Sequence, residues 1–223
     1  MCHGQLVSYI NSWKSVTELQ KLSKMLLPSL LLLTLQMLCQ VLAVDYEMLI
    51  DDPDVFTDCL ENPPGAKGAS GLFNLDELTF SLNGDKIHVE GNVTTVWDVE
   101  PTDRITASAR LMQLDRGIWQ PTVFSIATQD FCSLMYDKDQ YWFKYWTRYV
   151  EDMDAMKSKC VNHKGTKLVH SPFDINMVLT NVRGTTLHGR YKIVVTLEAF
   201  DDEKNVKRPE SICMEIIGDC ERL

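Results

Sequence analysis

Apolar and polar residues alternate along several short runs of the chain, and this alternation predicts most of its secondary structure. The runs cover residues 77–82, 86–90, 105–111, 175–179 and 191–199, and a β-branched run follows at 211–217. A period of two places successive side chains on opposite faces of a strand, so each run predicts a strand with one buried face. Roughly seven or eight short strands separated by turns are typical of an all-β sandwich or barrel.

One hairpin can be placed from its turn residues. Asn83 and Gly84 lie between two of the alternating runs, 77–82 and 86–90. The Asn-Gly pair is favoured in tight hairpin turns because both central positions need positive φ. The preceding segment, residues 44–73, contains several prolines and glycines, and we interpret it as an irregular lead-in rather than a separate domain.

A segment rich in aromatic residues interrupts the strand pattern. From 130 to 156 the residues fit a helical template better, because aromatic side chains recur three and four positions apart. This spacing places four rings on one face: Trp142, Tyr145, Trp146 and Tyr149. The pattern predicts one helical insertion, around residues 132–156, in an otherwise all-β domain.

The most apolar stretch of the chain, Met25–Ala43, comes well before the first predicted strand. It is preceded by Lys24 and ends in the small residue Ala43, as a cleavable secretory signal does. A membrane anchor is the competing interpretation, since a spanning helix needs about 20 apolar residues. Pro28 and Gln36 interrupt the run and favour the signal peptide.

The position of this signal divides the chain into three parts. Residues 1–24 make the region before the apolar stretch unusually long, so we interpret them as an upstream extension. Residues 25–43 are the signal peptide, and 44–223 form a single exported domain, long enough for a substantial core.

The exported part is acidic. The whole chain has a net charge of −9 and residues 1–43 contribute +2, so residues 44–223 carry −11. An acidic chain without a basic run argues against nucleic acid or an anionic membrane surface as the main partner. In a secreted protein, the sequon that begins at Asn92 predicts N-glycosylation.

Five cysteines fall in the exported part: Cys59, Cys132, Cys160, Cys213 and Cys220. Secretion predicts that most of them are oxidised, and an odd number leaves one thiol free or paired outside the chain. A metal site is the rival interpretation. It is weak because the chain has no short Cys-x-x-Cys spacing in this part and no accompanying histidine cluster.

The chain contains no recognisable catalytic motif. It has no G-x-S-x-G elbow, no H-E-x-x-H pair and no glycine-rich phosphate loop, and its histidines are isolated from one another. We therefore expect a non-enzymatic protein without cofactor or metal. A sandwich of this size can either fill its interior completely or spread its sheets around an apolar ligand.

Several short motifs occur in an order that resembles a known family. They are the early Cys59, Gly91–Thr94, Arg110–Leu114 leading into Gly117–Trp119, Phe131 with Cys132, the later Cys160, Gly189–Tyr191 and Cys213–Ile216. Over about residues 55–217 the chain resembles the ML lipid-recognition superfamily, in particular the ganglioside activator protein. Within that group it is most similar to the insect CheB chemosensory proteins.

The resemblance implies an immunoglobulin-like two-sheet sandwich that forms a cup for acyl chains. It also implies the disulfides Cys59–Cys213 and Cys132–Cys160, and a role in taste or pheromone sensing of hydrophobic cuticular compounds. The chain departs from the activator in one segment. The interval between Cys132 and Cys160 lacks the additional cysteines of the activator and is aromatic instead.

The candidate ligand-binding residues come from the inward faces of the predicted strands and from the aromatic stripe. The strand positions are Ile87, Val89, Ala107, Ala109, Leu111, Tyr191, Ile193 and Val195. The expected ligand is a fatty acid, a hydrocarbon or a glycolipid, held chiefly by burial of its CH₂ groups. The same residues could equally form a plain core.

The aromatic segment 141–149 admits two functional interpretations. It predicts a disulfide-closed lid over the rim of the cup, with Trp142, Tyr145, Trp146 and Tyr149 capping the interior. Alternatively, its exposed rings predict an extracellular accessory subunit that contacts a receptor or channel ectodomain without a ligand of its own, since Trp and Tyr are frequent interface hot spots.

Overall fold

The computed structural model of the chain describes most of the predicted exported domain. The described residues are 28, 43–50, 52, 54–61, 63–83, 86–184 and 186–223. The predicted upstream extension and, apart from Pro28 and Ala43, the predicted signal peptide lie outside them. Within the described part of the chain, no helix is long and apolar enough to cross a membrane.

Two compact units can be distinguished. The larger consists of residues 45–180 and 186–223, and the smaller of residues 1–44 and 181–185. In the smaller unit, the Arg183 guanidinium donates a hydrogen bond to Asn181 Oδ1 over 3.3 Å. All candidate residues lie in the larger unit, as do the strand residues other than Val44, Asn181 and Val182.

The described residues form twelve strands and a few short helices. The strands are β1 Val44–Ile50, β2 Thr57–Asp58, β3 Ala66–Lys67, β4 Phe73–Asn74, β5 Leu78–Asn83, β6 Lys86–Thr95, β7 Arg104–Asp115, β8 Ile118–Thr128, β9 Lys167–Ile175, β10 Met177–Val182, β11 Gly189–Phe200 and β12 Lys207–Arg222. The helices are α1 Ala69–Leu72, α2 Phe131–Leu134, α3 Tyr141–Tyr145, the 3₁₀ turn Thr147–Tyr149 and α4 Met153–Met156.

The strands are arranged in two sheets, so the predicted all-β two-sheet sandwich is confirmed. In the larger sheet, β12, β11, β7 and β8 are antiparallel neighbours, and β10 belongs to the same sheet. The other edge of β12 is covered successively by β1, β2 and the parallel β3. In the smaller sheet, β6 is central, with β9 on one edge and β4 and β5 on the other.

The core lies between the two sheets, where the inward residues of the alternating strands meet. Its fully buried members include Leu72, Trp97, Ile105, Leu197 and Ile212. Ile105, Leu197 and Ile212 follow the period-two pattern of their strands, whereas Leu72 lies in α1 and Trp97 follows β6.

The opposite face of the larger sheet holds a second buried layer. Val194 packs there beside the disulfide of Cys59 and Cys213. In the same layer Lys192 Nζ lies 2.8 Å from Glu215 Oε1, and both side chains are buried, 6% and 2% exposed. A buried ion pair of this kind is costly to break because either charge alone lacks a partner.

The hairpin turns follow the expected chemistry. The β7–β8 turn consists of Arg116 and Gly117, both with positive φ, 49° and 81°, as a type I′ turn requires. The predicted β5–β6 hairpin is confirmed by the pairing of Asn83 with Lys86. Asn83 therefore lies in β5 rather than in the turn, where the sequence placed it, and residues 84 and 85 lie outside the described part.

Three details of the sequence interpretation are wrong. The segment 44–73 is not an irregular lead-in, since it contains β1 to β4 and α1. The predicted single strand across 175–179 divides at Asn176, because β9 belongs to the smaller sheet and β10 to the larger. The helical insertion exists, but it consists of α2, α3, a 3₁₀ turn and α4 rather than one helix.

Both disulfides implied by the family resemblance are present. Cys59 pairs with Cys213, 154 residues apart in sequence, and Cys132 pairs with Cys160, 28 residues apart. Among the described cysteines, Cys220 is free and buried. Burial raises the pKa of its thiol to about 12, so the thiol is protonated and poorly nucleophilic in the native state.

Candidate ligand-binding site

Local backbone geometry explains why the insertion breaks into short helices. Asp130 begins α2 by accepting a hydrogen bond from the Ser133 backbone N–H at Oδ1, over 3.1 Å. Trp146 leaves the helical region, with φ −139° and ψ −71°, and ends α3. Asp152 then adopts a left-handed conformation, φ 48°, which prevents the chain from continuing as one helix into α4.

Trp146 is the centre of the insertion and is only 4% exposed. Its ring lies 5.6 Å from that of Phe56, 6.4 Å from Phe73 and 6.1 Å from Phe173, measured between centroids. Aromatic pairs at these distances contribute about 0.5–1.5 kcal/mol each beyond the burial of their area. Trp146 is therefore a core residue that fixes the insertion on the sandwich.

The other rings of the predicted stripe are also anchored. Trp142 packs edge-on against Phe131, with centroids 5.3 Å apart, and Tyr149 stacks on Phe173 at 4.0 Å. Both are half-buried and pack against the core cluster. The insertion is thus held against the smaller sheet through β9.

Tyr145 joins the insertion to β10. Its hydroxyl donates to the Val178 carbonyl over 2.8 Å and accepts from the Val178 N–H over 3.0 Å. The ring of Tyr141 stacks on Tyr145 at 6.3 Å and remains 42% exposed. The insertion therefore contacts a strand of each sheet, as expected for a cover over the interior.

His170, on β9, is the buried histidine of this region. It is 4% exposed, and its ring centroid lies 4.7 Å from that of Trp146. No hydrogen bond of good geometry reaches either ring nitrogen from the described residues, although the nearby Leu168 backbone interacts with the imidazole and acts to raise its pKa. Burial lowers the pKa of His170 from 6.5 to about 4, so the imidazole is neutral at physiological pH.

Three further polar atoms of the insertion are also buried. They are Nε1 of Trp142, Nε1 of Trp146 and Oγ1 of Thr147, and all are buried without a hydrogen bond to described residues. Thr147 itself is fully buried.

The inner face of the larger sheet is unevenly covered. One row across it consists of Met214, Val195, Ala109 and Ile126, from β12 to the edge strand β8. Met214 is 2% exposed, Val195 and Ala109 are half-buried, and Ile126 is 51% exposed. Coverage of an apolar face therefore decreases steadily toward β8.

The neighbouring rows define the limits of this uncovered area. Ile105 and its partner Ala199, nearer one end of the sheet, are fully buried. Ala107 and Ile193, on either side of the Ala109 row, are half-buried. Four of the predicted lining residues thus lie together on a partly open apolar surface: Ala107, Ala109, Ile193 and Val195.

The remaining strand candidates are placed differently. Ile87 and Val89, on β6, are 1% and 0% exposed and pair with Ile175 and Phe173 of β9. Leu111 is also buried. Tyr191 is buried beyond the apolar rows, where its hydroxyl accepts a hydrogen bond from the His188 backbone N–H over 3.4 Å. These four residues are packed in the protein interior and do not line the partly exposed apolar surface.

A separate surface pocket of about 240 Å³ contains none of the predicted residues. Its lining comprises Ile50, Asp52, Asp54, Val55, Thr57, Arg190 and Ile217. Arg190 there is paired with Asp219 over 3.1 Å. The mixed lining distinguishes this pocket from the apolar area at Ala109.

The predicted glycosylation residue lies on the outer side of the smaller sheet. Asn92 is half-buried on β6, and its Nδ2 donates to Glu77 Oε2 over 3.1 Å. The same carboxylate is 2.5 Å from Lys167 Nζ. Hydrogen bonds from Lys167 and Asn92 lower the pKa of Glu77.

Sequence reasoning missed His170 and Thr147. His170 follows the apolar pair Leu168 and Val169, so no alternation in the sequence marks it as buried, although in the structure it shares the inward face of β9 with Leu168. Thr147 has no signal either, because its burial follows from the break at Trp146. Among the described residues, no group of three or more His, Cys, Asp or Glu side chains could hold a metal ion.

Comparison with known proteins adds no relative. No protein-family model matches the chain, and a search of curated proteins finds no significant match. The fold and the side-chain geometry therefore carry the functional argument.

Proposed function

We propose that this chain is a secreted, non-enzymatic binding protein for a lipid or another hydrophobic molecule held between its two sheets. The observation that carries the proposal is the partly uncovered inner face at Ala109 and Val195, which continues to the exposed Ile126. The neighbouring row at Ile105 and Ala199, by contrast, is fully buried.

Apolar contact is the source of affinity in this proposal. Each CH₂ group that leaves water contributes about 0.8 kcal/mol, so a chain of several carbons on this face binds without a polar anchor. The half-buried alanines matter because they leave room beside the backbone of β7. Ala107 and Ala109 are the small residues on the face, next to Ile193 and Val195.

The insertion acts as the cover of the interior. The disulfide between Cys132 and Cys160 closes it, and its rings pack on β9 while Tyr145 is bonded to β10. A cover attached to both sheets limits how far they separate. Exported location is supported by the two disulfides, which form and persist in oxidising compartments.

The resemblance to CheB proteins extends the proposal to chemosensation. A sparingly soluble cuticular compound needs a dry site to reach a receptor through an aqueous lymph, and an apolar face between two sheets supplies one. In this role the protein carries the compound or presents it, and no bond is made or broken.

A titration with the neutral fluorophore N-phenyl-1-naphthylamine tests the proposal. The secreted protein should bind the dye, and Ala109→Trp should weaken binding about tenfold, because the indole occupies space equivalent to about two CH₂ groups of ligand. The matched control is Ser108→Trp, on the opposite face of the same strand. Absence of dye binding, or equal loss in both variants with unchanged thermal stability, would contradict a site between the sheets.

The second candidate is an accessory subunit that contacts a receptor or channel ectodomain. It is favoured by the edge strand β8, where Ile118 is 62% exposed and Val123 87% exposed. Unpaired edge strands with apolar side chains are prone to contact another protein. If this candidate is right, Val123→Lys should abolish co-precipitation with the partner and leave dye binding intact. If the protein is a carrier without a partner, the substitution should leave dye binding unchanged and no co-precipitation should be seen with either protein.

A further inference from the structure

The strand β8 is an edge of the larger sheet that lacks the usual protection by charge. It is 11 residues long, and β7 is its neighbour in the sheet. An edge strand directs many of its backbone N–H and C=O groups away from its neighbour, and charged side chains usually prevent those groups from pairing with another chain. From Ile118 to Gln129 the chain contains no charged residue. Apolar side chains are exposed there instead, Val123 at 87% and Ile126 at 51%.

The insertion covers two other sheet edges but not this one. On β10, the Tyr145 hydroxyl is bonded to both the N–H and the carbonyl of Val178. On β9, the Val169 carbonyl accepts a hydrogen bond from the Glu151 N–H over 2.8 Å. Within the described part of the chain, no such bond reaches the backbone of β8 from an element other than β7. The outer edge of β8 is therefore open to another strand.

A bulge in the middle of β8 leaves the alternation of its side chains intact. Ser125 pairs with Arg110 and Pro121 with Met112, so residues 122–124 together lie opposite one residue of β7. Two extra residues preserve a period of two, so Ile118 and Ile126 share the inner face of the sheet. The Thr122 hydroxyl donates to the Leu111 carbonyl over 2.8 Å and accepts from the Phe124 N–H over 3.1 Å. These bonds satisfy the bulge from within the sheet.

The sequence of β8 is complementary to itself. Val123 is the midpoint of Ile118–Thr128, so an antiparallel pair with its two-fold axis at Val123 overlaps the complete strand with its copy. The same register brings Arg116 of one copy opposite Asp130 of the other, once at each end of the strand. Both side chains are exposed. Full overlap and charge complementarity thus select a single register.

We propose that two copies of this chain associate by antiparallel pairing of their β8 strands across a two-fold axis at Val123. Such an interface must be self-complementary, and this register also places the large Trp119 opposite the small Ala127. Net charge supports a second copy as the occupant. The exported part carries −11, from −9 for the whole chain and +2 for residues 1–43, so two copies repel across most of their surfaces. An uncharged strand with opposite charges at its ends avoids this repulsion.

Sedimentation velocity of the full secreted protein over a range of concentrations tests the pairing. Wild type should sediment as a dimer that dissociates on dilution. Val123→Lys places two ammonium groups next to each other at the axis, so it should raise the dimer Kd at least about tenfold. The matched control is Val206→Lys, which changes a valine that is 59% exposed and lies before β12. It should leave the dimer unchanged. The inference goes beyond the ligand site, and dye binding should persist in both variants.

A charge reversal tests the register. Arg116→Asp and Asp130→Arg should each weaken the dimer about tenfold, because each converts two ion pairs into two like-charge contacts. The double variant should recover the wild-type Kd to within about threefold. Asp130 also caps α2, and the double variant still lacks that cap, so recovery reports charge pairing alone. Thermal unfolding checks that each variant is folded.

Three results would overturn the inference. A wild type that is monomeric at every concentration would leave the edge to a different partner. A dimer that Val123→Lys does not weaken would lie on another surface. Single reversals that weaken the dimer without recovery in the double variant would exclude the two-fold register at Val123.

Discussion

Acidification should destabilise the native state through His170. The folded protein holds this imidazole neutral, with a pKa of about 4 against an ordinary value of 6.5. Between these two values the unfolded chain binds a proton that the folded chain does not. The free energy of unfolding therefore falls as pH falls through this window. His170 causes no loss of stability above about pH 6.5, and the loss reaches its full size below about pH 4.

The size of the effect follows from the difference between the two pKa values. Each pKa unit corresponds to 1.36 kcal/mol, so the contribution lost between pH 6.5 and 4 is about 3 kcal/mol. The residue is only 4% exposed, which means that solvent screening does not reduce the figure appreciably. A loss of this size is a large part of the stability of a typical domain.

Urea unfolding followed by tryptophan fluorescence, with the disulfides intact, measures this contribution at a series of pH values. The free energy of unfolding of His170→Phe, relative to wild type, should rise by about 3 kcal/mol from pH 7 to pH 4. Carboxylates titrate in both proteins and cancel in the difference. His188→Phe should run parallel to wild type. Parallel curves for His170→Phe as well would show that His170 is charged or solvated in the native state and would refute its burial as a neutral group.

Three other predictions concern the contacts that hold the sandwich and its cover together. Replacing Cys59 and Cys213 by serine should lower the free energy of unfolding by about 5 kcal/mol in the loop-entropy model, given a separation of 154 residues, and urea denaturation measures the loss. Lys192→Met should cost about 3–5 kcal/mol because it strands the Glu215 carboxylate, and a second change, Glu215→Leu, should recover most of it. No recovery would show that the pair is solvated. Tyr145→Phe should cost about 1–3 kcal/mol by leaving the backbone of β10 unpaired, and hydrogen exchange there should accelerate.

Strands with one solvent-exposed face could be predicted from the sequence. In β7 the residues from Ile105 to Leu111 alternate strictly, and β11 keeps the same period at Tyr191, Leu197 and Ala199, which are buried, although Lys192 and Val194 on its other face are buried as well. β1 has the same period, with Tyr46, Met48 and Ile50 buried, but nearby prolines obscured it. In β9 the period shifts across Ser171 and Pro172, because both His170 and Phe173 face inward.

The insertion shows where local pattern stops being sufficient. Helical spacing correctly grouped Trp142, Tyr145, Trp146 and Tyr149 as residues that pack on the sandwich. It could not predict the breaks at Trp146 and Asp152, since those depend on how the rings fit against β9 and β10. Tertiary packing overrides helical propensity in segments this short.

The sequence also could not predict which inward-facing residues remain partly exposed. Ala109 and Ile105 have the same alternating surroundings in β7, yet one is half-buried and the other fully buried. The difference depends on which parts of the face the second sheet and the insertion cover. Pairing of the cysteines came from the family resemblance, because the five positions alone allow several connectivities.

Native mass spectrometry of the secreted protein, mixed with a small excess of octanol, tests the central claim most directly. We expect a one-to-one adduct with wild type and with Ser108→Trp, and its loss in Ala109→Trp, whose indole fills the uncovered face. An adduct that persists undiminished in Ala109→Trp, or no adduct with any of the three folded proteins, would contradict a hydrophobic ligand site between the sheets.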